Sequence, residues 1–216
     1  PKHSQSYTEL GKLYQKKHLF EKSREVLESG KRHVIRSEVK QENIPLFILL
    51  GNTYLELKMF HEAELSFQIT IEIKQNNWPS YIGIAKAFFK QNKLSEFEEV
   101  FKKLLNDYSD VVSLCEFAYW LKDNKRTNEA IKIIEKAKKI NGDKPNLYIN
   151  TIWAGILLQK ILILNRVGDL EVIQLNGQCE KICYDTLKSN PNHEQTLHIL
   201  YRLNLFFREH IKENKY

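Results

Sequence analysis

Histidine and glutamate side chains near the C-terminal end are of the types that bind and use zinc. Zinc is held by two histidines of one helix when both lie on the same face, with a glutamate nearby as the base. His193, Glu194 and His198 place the histidines five residues apart, about 500° around a helix, so the two imidazoles face different directions. We therefore interpret them as surface side chains of a helix.

Two cysteines could also bind metal. Cys179 and Cys183 are four residues apart and share one face of a helix, but zinc needs two more ligands there and Cys115 is remote in sequence. A disulfide within one straight helix is disfavoured because the two Cβ directions diverge. We interpret both as thiols packed in the core. Three cysteines, an odd number, indicate a reducing compartment, and we expect a cytoplasmic protein.

The sequence offers no arrangement of residues for catalysis. It has no glycine-rich loop of the kinds that cradle nucleotide phosphates. We therefore expect a protein that is not an enzyme, with no catalytic residue, no metal site and no cofactor.

A pattern of large, small and aromatic residues recurs along the chain and predicts the elements that carry it. Gly51 and Ala85 are 34 positions apart, and matching residues surround both. Gly11 and Ala118 extend the pattern in both directions; we call these four residues the small positions. The two best-matched segments are Phe47, Leu50, Gly51, Tyr54, with Ala63 and Phe67, and Tyr81, Ile84, Ala85, Phe88, with Phe97 and Phe101.

This period and pattern resemble the tetratricopeptide repeat (TPR), a pair of antiparallel helices. The resemblance implies an all-α fold, a right-handed superhelical solenoid of helix hairpins in which first helices line the concave side. Small residues allow close helix approach, and no hairpin can bury its apolar face alone. We predict one domain, 1–216. Its parts are repeats at about 4–38, 44–77, 78–110 and 111–144, an atypical long hairpin at 145–190 and a capping helix at 192–213.

Composition and charge narrow the partners. The net charge is +6, but the basic clusters mostly lie between acidic residues, as on solvated helix faces, so we do not expect nucleic-acid binding. The segment 147–164 is very apolar, but Asn150, Gln159 and Lys160 interrupt it, which indicates a buried helix and no membrane span. Numbering begins at Pro1 without an initiator methionine, and we expect a piece of a longer protein.

The family geometry also implies which side chains face the concave groove. If the repeat pattern continues past Pro145, side chains of the fifth hairpin also face the groove. The partner-binding groove residues that we predict are Asn52, Leu55, Ile82, Lys86, Phe89, Lys90, Tyr119, Lys122 and Trp153.

The function that these features favour is a scaffold or adaptor. We expect it to bind another protein, through an extended or helical segment with apolar and acidic residues. The alternative is a sensory or dimerisation module of a larger regulatory protein. In that case the chain forms a homodimer through the apolar fifth hairpin.

One known ligand of TPR proteins is disfavoured. In co-chaperones of this family, lysine, asparagine and arginine side chains of successive first helices hold the C-terminal carboxylate of Hsp70 or Hsp90. Of the corresponding positions here, only Asn52 matches. Without the cationic donors there is no two-point clamp. The other positions hold Thr8, Lys12, Leu49, Pro79 and Gly83 when counted from the first repeat, and Ile48, Gly83, Val112 and Glu116 from the second.

We predict that peptides ending in the acidic Hsp70 or Hsp90 tail bind this protein no better than scrambled peptides of the same composition. Isothermal titration calorimetry checks this directly. Micromolar binding that depends on the order of residues would contradict it.

Overall fold

The structure of the protein is a computed structural model that describes residues 2–37, 39–142 and 144–213. Those residues form a chain of α-helices and, within the same ranges, no β-strand, so the all-α prediction is confirmed. The helices are α1 (Lys2–Lys16), α2 (Phe20–Ser37), α3 (Ile44–Glu56), α4 (Phe60–Ile73), α5 (Trp78–Lys90), α6 (Leu94–Asp107), α7 (Val111–Asp123), α8 (Thr127–Asn141), α9 (Leu147–Leu164), α10 (Leu170–Ser189) and α11 (Glu194–Glu213).

These helices group into two compact units, Pro1–Tyr108 and Ser109–Tyr216. We call them the first and the second unit. The single domain and the repeat boundaries that the sequence predicts stay predictions, and residue 38, at the end of the first repeat, lies outside the described ranges.

Four hairpins close with the same three-residue turn. Its central residue has a positive φ, between 55° and 63°, and lies seven positions after the small position of the hairpin. The next residue donates its backbone N–H to the carbonyl five residues earlier, at 2.8–2.9 Å, which is the bond that ends a helix in a Schellman motif. The four central residues are His18, Lys58, Asn92 and Lys125.

The small positions of the first unit are in tight contact with the second helices. A Cβ atom built on Gly11 would lie 2.6 Å from Leu27, and one on Gly51 would lie 2.7 Å from the Phe67 ring. Gly83 approaches the same ring from α5 even more closely. Phe67 is fully buried between two helices that present glycine to it. A side chain at either glycine would therefore force the ring or the backbone to move.

Polar contacts add to this packing in the first unit. Ser23 Oγ donates to the carbonyl oxygen of Gly11 at 3.1 Å. Lys93 Nζ lies 2.9 Å from Glu64 Oε2, which also accepts a hydrogen bond from Gln91. Burial alone would raise the pKa of Glu64, but the two hydrogen bonds outweigh it and lower the pKa. The ionised carboxylate thus stabilises the folded unit at neutral pH, and this contribution is lost as the pH falls through the lowered pKa.

The second unit contains a longer hairpin, α9–α10. The first helices α1, α3, α5 and α7 each end five residues after their small position, whereas α9 ends ten residues after Ala154. Ala154 is its small position, because α9 begins seven residues before it, as α3, α5 and α7 do before theirs. Cys179 Sγ on α10 donates to the Ala154 carbonyl at 3.5 Å, so this thiol takes the place that Ser23 has in the first hairpin.

Helix α9 is long and apolar enough to cross a membrane by length and composition, with a mean hydropathy of 1.6. It packs against α8 and α10, and Ile156 and Ile161 are fully buried in the second unit. The core helix of a soluble protein has the same properties. The absence of a membrane span stays a prediction.

Two expectations for the C-terminal part differ from the structure. Pro45 and Pro79 lie at the starts of first helices, and the same pattern predicts that Pro145 opens the next one. Instead α9 begins at Leu147, and Asn146 caps it by accepting the backbone N–H of Ile149 at 3.1 Å. The sequence of the capping helix predicts that its apolar residues Leu197, Leu200, Leu203, Leu205 and Phe206 face the other helices, but Leu197 and Leu205 are 45% and 41% exposed. The buried stripe of α11 is instead Thr196, Ile199, Leu203 and Phe206, which are spaced three or four residues apart.

We predict that Ala63→Phe lowers the free energy of unfolding by about 1–3 kcal/mol or more, because the new ring overpacks a fully buried site. Ala130→Phe, also fully buried, should act likewise in the second unit. Gln68→Phe places the same ring on the exposed side of α4 and is the matched control. Urea denaturation measures all three, and ready tolerance of both alanine substitutions would show that the helices are paired incorrectly.

Candidate functional site

The groove residues predicted in the first unit lie on α3 and α5. Asn52 is exposed, and Leu55, Lys86 and Phe89 are partly buried. Lys90 is exposed, with its Nζ 5.9 Å from the centre of the Phe89 ring. The Phe89 ring lies 5.7 Å from that of Phe97 on α6, so one side of it already packs within its hairpin.

Ile82 is the exception among the groove residues predicted in the first unit. It is only 8% exposed, so its side chain belongs to the core and offers little surface to a partner. The predicted groove residues that stay accessible on α3 and α5 are thus polar or basic, apart from Leu55 and part of Phe89.

The second unit contains a cavity of about 770 Å³ between α7, α9 and α11, which we call the α7–α9–α11 cavity. Two predicted groove residues, Tyr119 and Lys122, contribute to its wall. The floor comes mainly from α9 and the far wall from α11. The other lining residues are Leu147, Tyr148, Thr151, Ile152, Gly155, Leu158, His193, Glu194, Gln195, His198, Ile199 and Arg202.

The place predicted for Trp153 requires correction. Trp153 is 7% exposed, and Lys138 Nζ of α8 lies 4.9 Å from its ring, so it is a packing residue of the second unit. The prediction counted the groove positions of the fifth hairpin from a first helix that starts at Pro145. In the structure α9 begins two residues later, at Leu147. Moving each position by two brings Tyr148, Thr151, Gly155 and Leu158 to the groove positions, and all four line the cavity.

The α7 wall is held in place by its neighbours. The Lys122 ammonium lies 3.0 Å from Asp123 Oδ1 and 4.3 Å from the centre of the Tyr119 ring. Gln159 of α9 donates to the Lys122 carbonyl at 3.0 Å and accepts from the Thr127 hydroxyl at 3.1 Å. These bonds fix α9 against the α7–α8 turn. Tyr119 stays 50% exposed and presents an aromatic face.

Partial burial raises the pKa of two groups near this wall. It raises the pKa of the Tyr148 phenol, and nearby Glu116 adds to the effect. It also raises the pKa of the Cys115 thiol to about 11, with Asp110 and Glu116 contributing. Both groups are therefore neutral at physiological pH, and Cys115 is not a reactive thiolate.

The α11 wall is the part of the site that sequence reasoning missed. His193 and His198 were interpreted as surface side chains of a helix and Arg202 was not singled out, yet all three line the cavity. Continuing the repeat pattern to α11 would have indicated these residues, because α11 follows α10 in the way that the first helix of one repeat follows the second helix of the repeat before it. Among the described residues, no three histidine, cysteine or acidic side chains are grouped closely enough to hold a metal ion.

Comparison with solved structures identifies the fold. A tetratricopeptide repeat protein from Parabacteroides merdae matches with a TM-score of 0.61 and 11% sequence identity, over 98% of this chain and 76% of that one. Pseudomonas aeruginosa pilF matches with a TM-score of 0.54 and 18% identity, over 81% of this chain and 73% of that one. This chain therefore has the helical-repeat fold of TPR proteins, as its sequence predicts.

No protein family and no curated protein matches the sequence of this chain.

Gly155 lines the cavity and, unlike the glycines of the packed interior, has room for a side chain. A Cβ atom built on it would have Ile199 Cδ1 as its nearest neighbour, at 3.9 Å, an ordinary contact. We predict that Gly155→Ala raises the free energy of unfolding by up to about 1 kcal/mol, because glycine is a poor helix former. Gly83→Ala, the control in α5, should lower it because the new methyl group meets the Phe67 ring. Thermal unfolding measures the stability of both variants, and a loss of stability in both would contradict the prediction.

Proposed function

We propose that this protein is a non-enzymatic scaffold or adaptor that binds a segment of another protein on the surface of its first helices. The α7–α9–α11 cavity is the observation that carries the proposal. It lies between three helices in register and combines an apolar floor with a polar, partly basic rim. Protein interfaces have this composition, an apolar centre surrounded by polar groups.

Tyr119 is the residue we assign as an anchor for the partner. Its ring is half exposed at the edge of the cavity, and Lys122 fixes its orientation. Tyrosine is enriched among the residues that dominate binding energy, since it buries a large area at a small entropic cost. On the first unit, considered by itself, the exposed Asn52 and Lys90 offer polar contacts to a partner. The excess of basic residues in the chain would speed association with acidic segments.

The cytoplasm is the location we propose, because Cys115, Cys179 and Cys183 are all free thiols buried in the second unit.

The proposal is tested with a displayed library of random peptides selected against the whole chain. We predict that Tyr119→Ala weakens the binding of enriched peptides by about 1–3 kcal/mol in calorimetry, mostly through faster dissociation. Lys122→Glu should slow association, and high salt should reduce the difference. The controls are Tyr201→Ala, at a tyrosine that is 64% exposed and outside the cavity, and Lys132→Glu on the exposed face of α8.

A result in which no peptide is enriched would overturn the proposal. So would enriched peptides whose affinity is the same for wild type, Tyr119→Ala and Lys122→Glu.

A second candidate function is self-association through the α9–α10 hairpin. The observation that favours it is an exposed apolar cluster at the tip of this hairpin, where Ile163 is 60%, Leu170 71% and Ile173 53% exposed. Light scattering of the wild-type chain and of Leu170→Glu separates the two functions, since only self-association requires a dimer that the substitution breaks. Ile161→Glu is unsuitable, because Ile161 is fully buried and the charge would unfold the hairpin.

A further inference from the structure

Gly155 lies in the interior of α9, where glycine weakens a helix, and no close packing requires it. The glycines at 11, 30, 51 and 83 each have a side chain so close that a Cβ atom would collide with it. At Gly155 the nearest atom, Ile199 Cδ1, leaves room for a methyl group. The helix is therefore weakened at this position without a gain in packing.

The space that Gly155 leaves open belongs to the α7–α9–α11 cavity. Gly155 lines it together with Ile152, Leu158 and Ile199, which form an apolar floor. A long side chain at position 155 would project into this space and fill part of it. The missing side chain thus sets the depth of the cavity, and an apolar group that enters it gains contacts on several sides.

Among the described residues, one cation on the rim, Arg202, has no ion-pair partner. Lys122 is already paired with Asp123 and rests on the Tyr119 ring. Arg202 is exposed on α11 and forms no ion pair with any residue in the described ranges. A guanidinium group binds a carboxylate through two parallel hydrogen bonds, so Arg202 can fix an acidic group at the mouth of the cavity.

We propose that the α7–α9–α11 cavity takes one bulky apolar side chain of the partner segment, next to which an aspartate or glutamate pairs with Arg202. This inference rests on the proposed function and deepens it, since it states the chemistry of the partner. The apolar floor selects the anchor, and the positive rim selects the acidic neighbour. Glu194, on the same wall, disfavours a second acidic group on its side.

The first experiment uses two fluorescent probes that share one ring system. Anilinonaphthalene sulfonate carries a negative charge, and phenylnaphthylamine is its neutral counterpart. In titrations of the whole chain we expect the charged probe to bind more tightly. Gly155→Leu should weaken the binding of both probes by about tenfold or more, because the leucine fills the space that they need. Arg202→Gln should weaken only the charged probe.

Matched substitutions control for effects outside the cavity. Gly177→Leu makes the same change at a glycine of α10 that has open space around it, and Arg208→Gln removes an exposed arginine from the same helix as Arg202. Both should leave probe binding unchanged. Because leucine is a better helix former than glycine, Gly155→Leu should fold, and circular dichroism checks this.

The peptides from the displayed library complete the test. They should carry a large apolar residue close to an aspartate or glutamate, displace the charged probe and lose affinity for Gly155→Leu and Arg202→Gln. Probe binding that is equal in Gly155→Leu and wild type would overturn the inference, and so would an equal loss of both probes in Arg202→Gln.

The two proposals can fail separately. Peptides that need Tyr119 but bind Gly155→Leu normally would leave the scaffold function standing and remove the inference. Probes that behave as expected while no peptide is enriched would instead show a site for small apolar anions and remove the scaffold function.

Discussion

Close approach of the two helices in each hairpin is the constraint on which the rest of the structure depends. Gly51 allows the Phe67 ring to lie against the α3 backbone, and Gly83 allows the same ring to meet α5. One aromatic side chain is thereby buried by two successive helix pairs. Any side chain at these glycines would push the helices apart, and every contact that depends on their spacing would weaken with them.

The same spacing explains how much of the fold could be predicted. The period between small positions is visible in the sequence because the close contact tolerates only glycine or alanine. In four hairpins the central residue of the turn follows the small position by seven residues. None of these four residues is glycine, so the sequence does not predict the turn. A left-handed residue costs little beside the packing that surrounds it, so almost any side chain is accepted there.

The candidate site was predicted in part, and the limits have physical causes. Tyr119 and Lys122 lie on α7, where the frame is continuous with the preceding repeats. Trp153 was misplaced because proline was taken as the first turn of α9, but here it precedes the cap residue Asn146. Proline is tolerated both in the first turn of a helix and just before its cap residue, because neither place needs its missing N–H. Only the position of Ala154 therefore identifies where α9 lies in the repeat pattern. The α11 wall could not be recognised before that register was known.

Within each unit, most packing joins helices that are neighbours in sequence, and helices two apart, such as α7 and α9, add to it. The loop that must close before such a contact forms is short, so its entropic cost is small. Chains with mainly local contacts fold quickly, and a hairpin that forms early gives the next one a surface to pack on. The α9–α10 hairpin pairs the most apolar long helix of the described residues, so before it closes it exposes a long apolar segment. A chaperone that binds apolar segments would meet this chain there during synthesis, before any partner does.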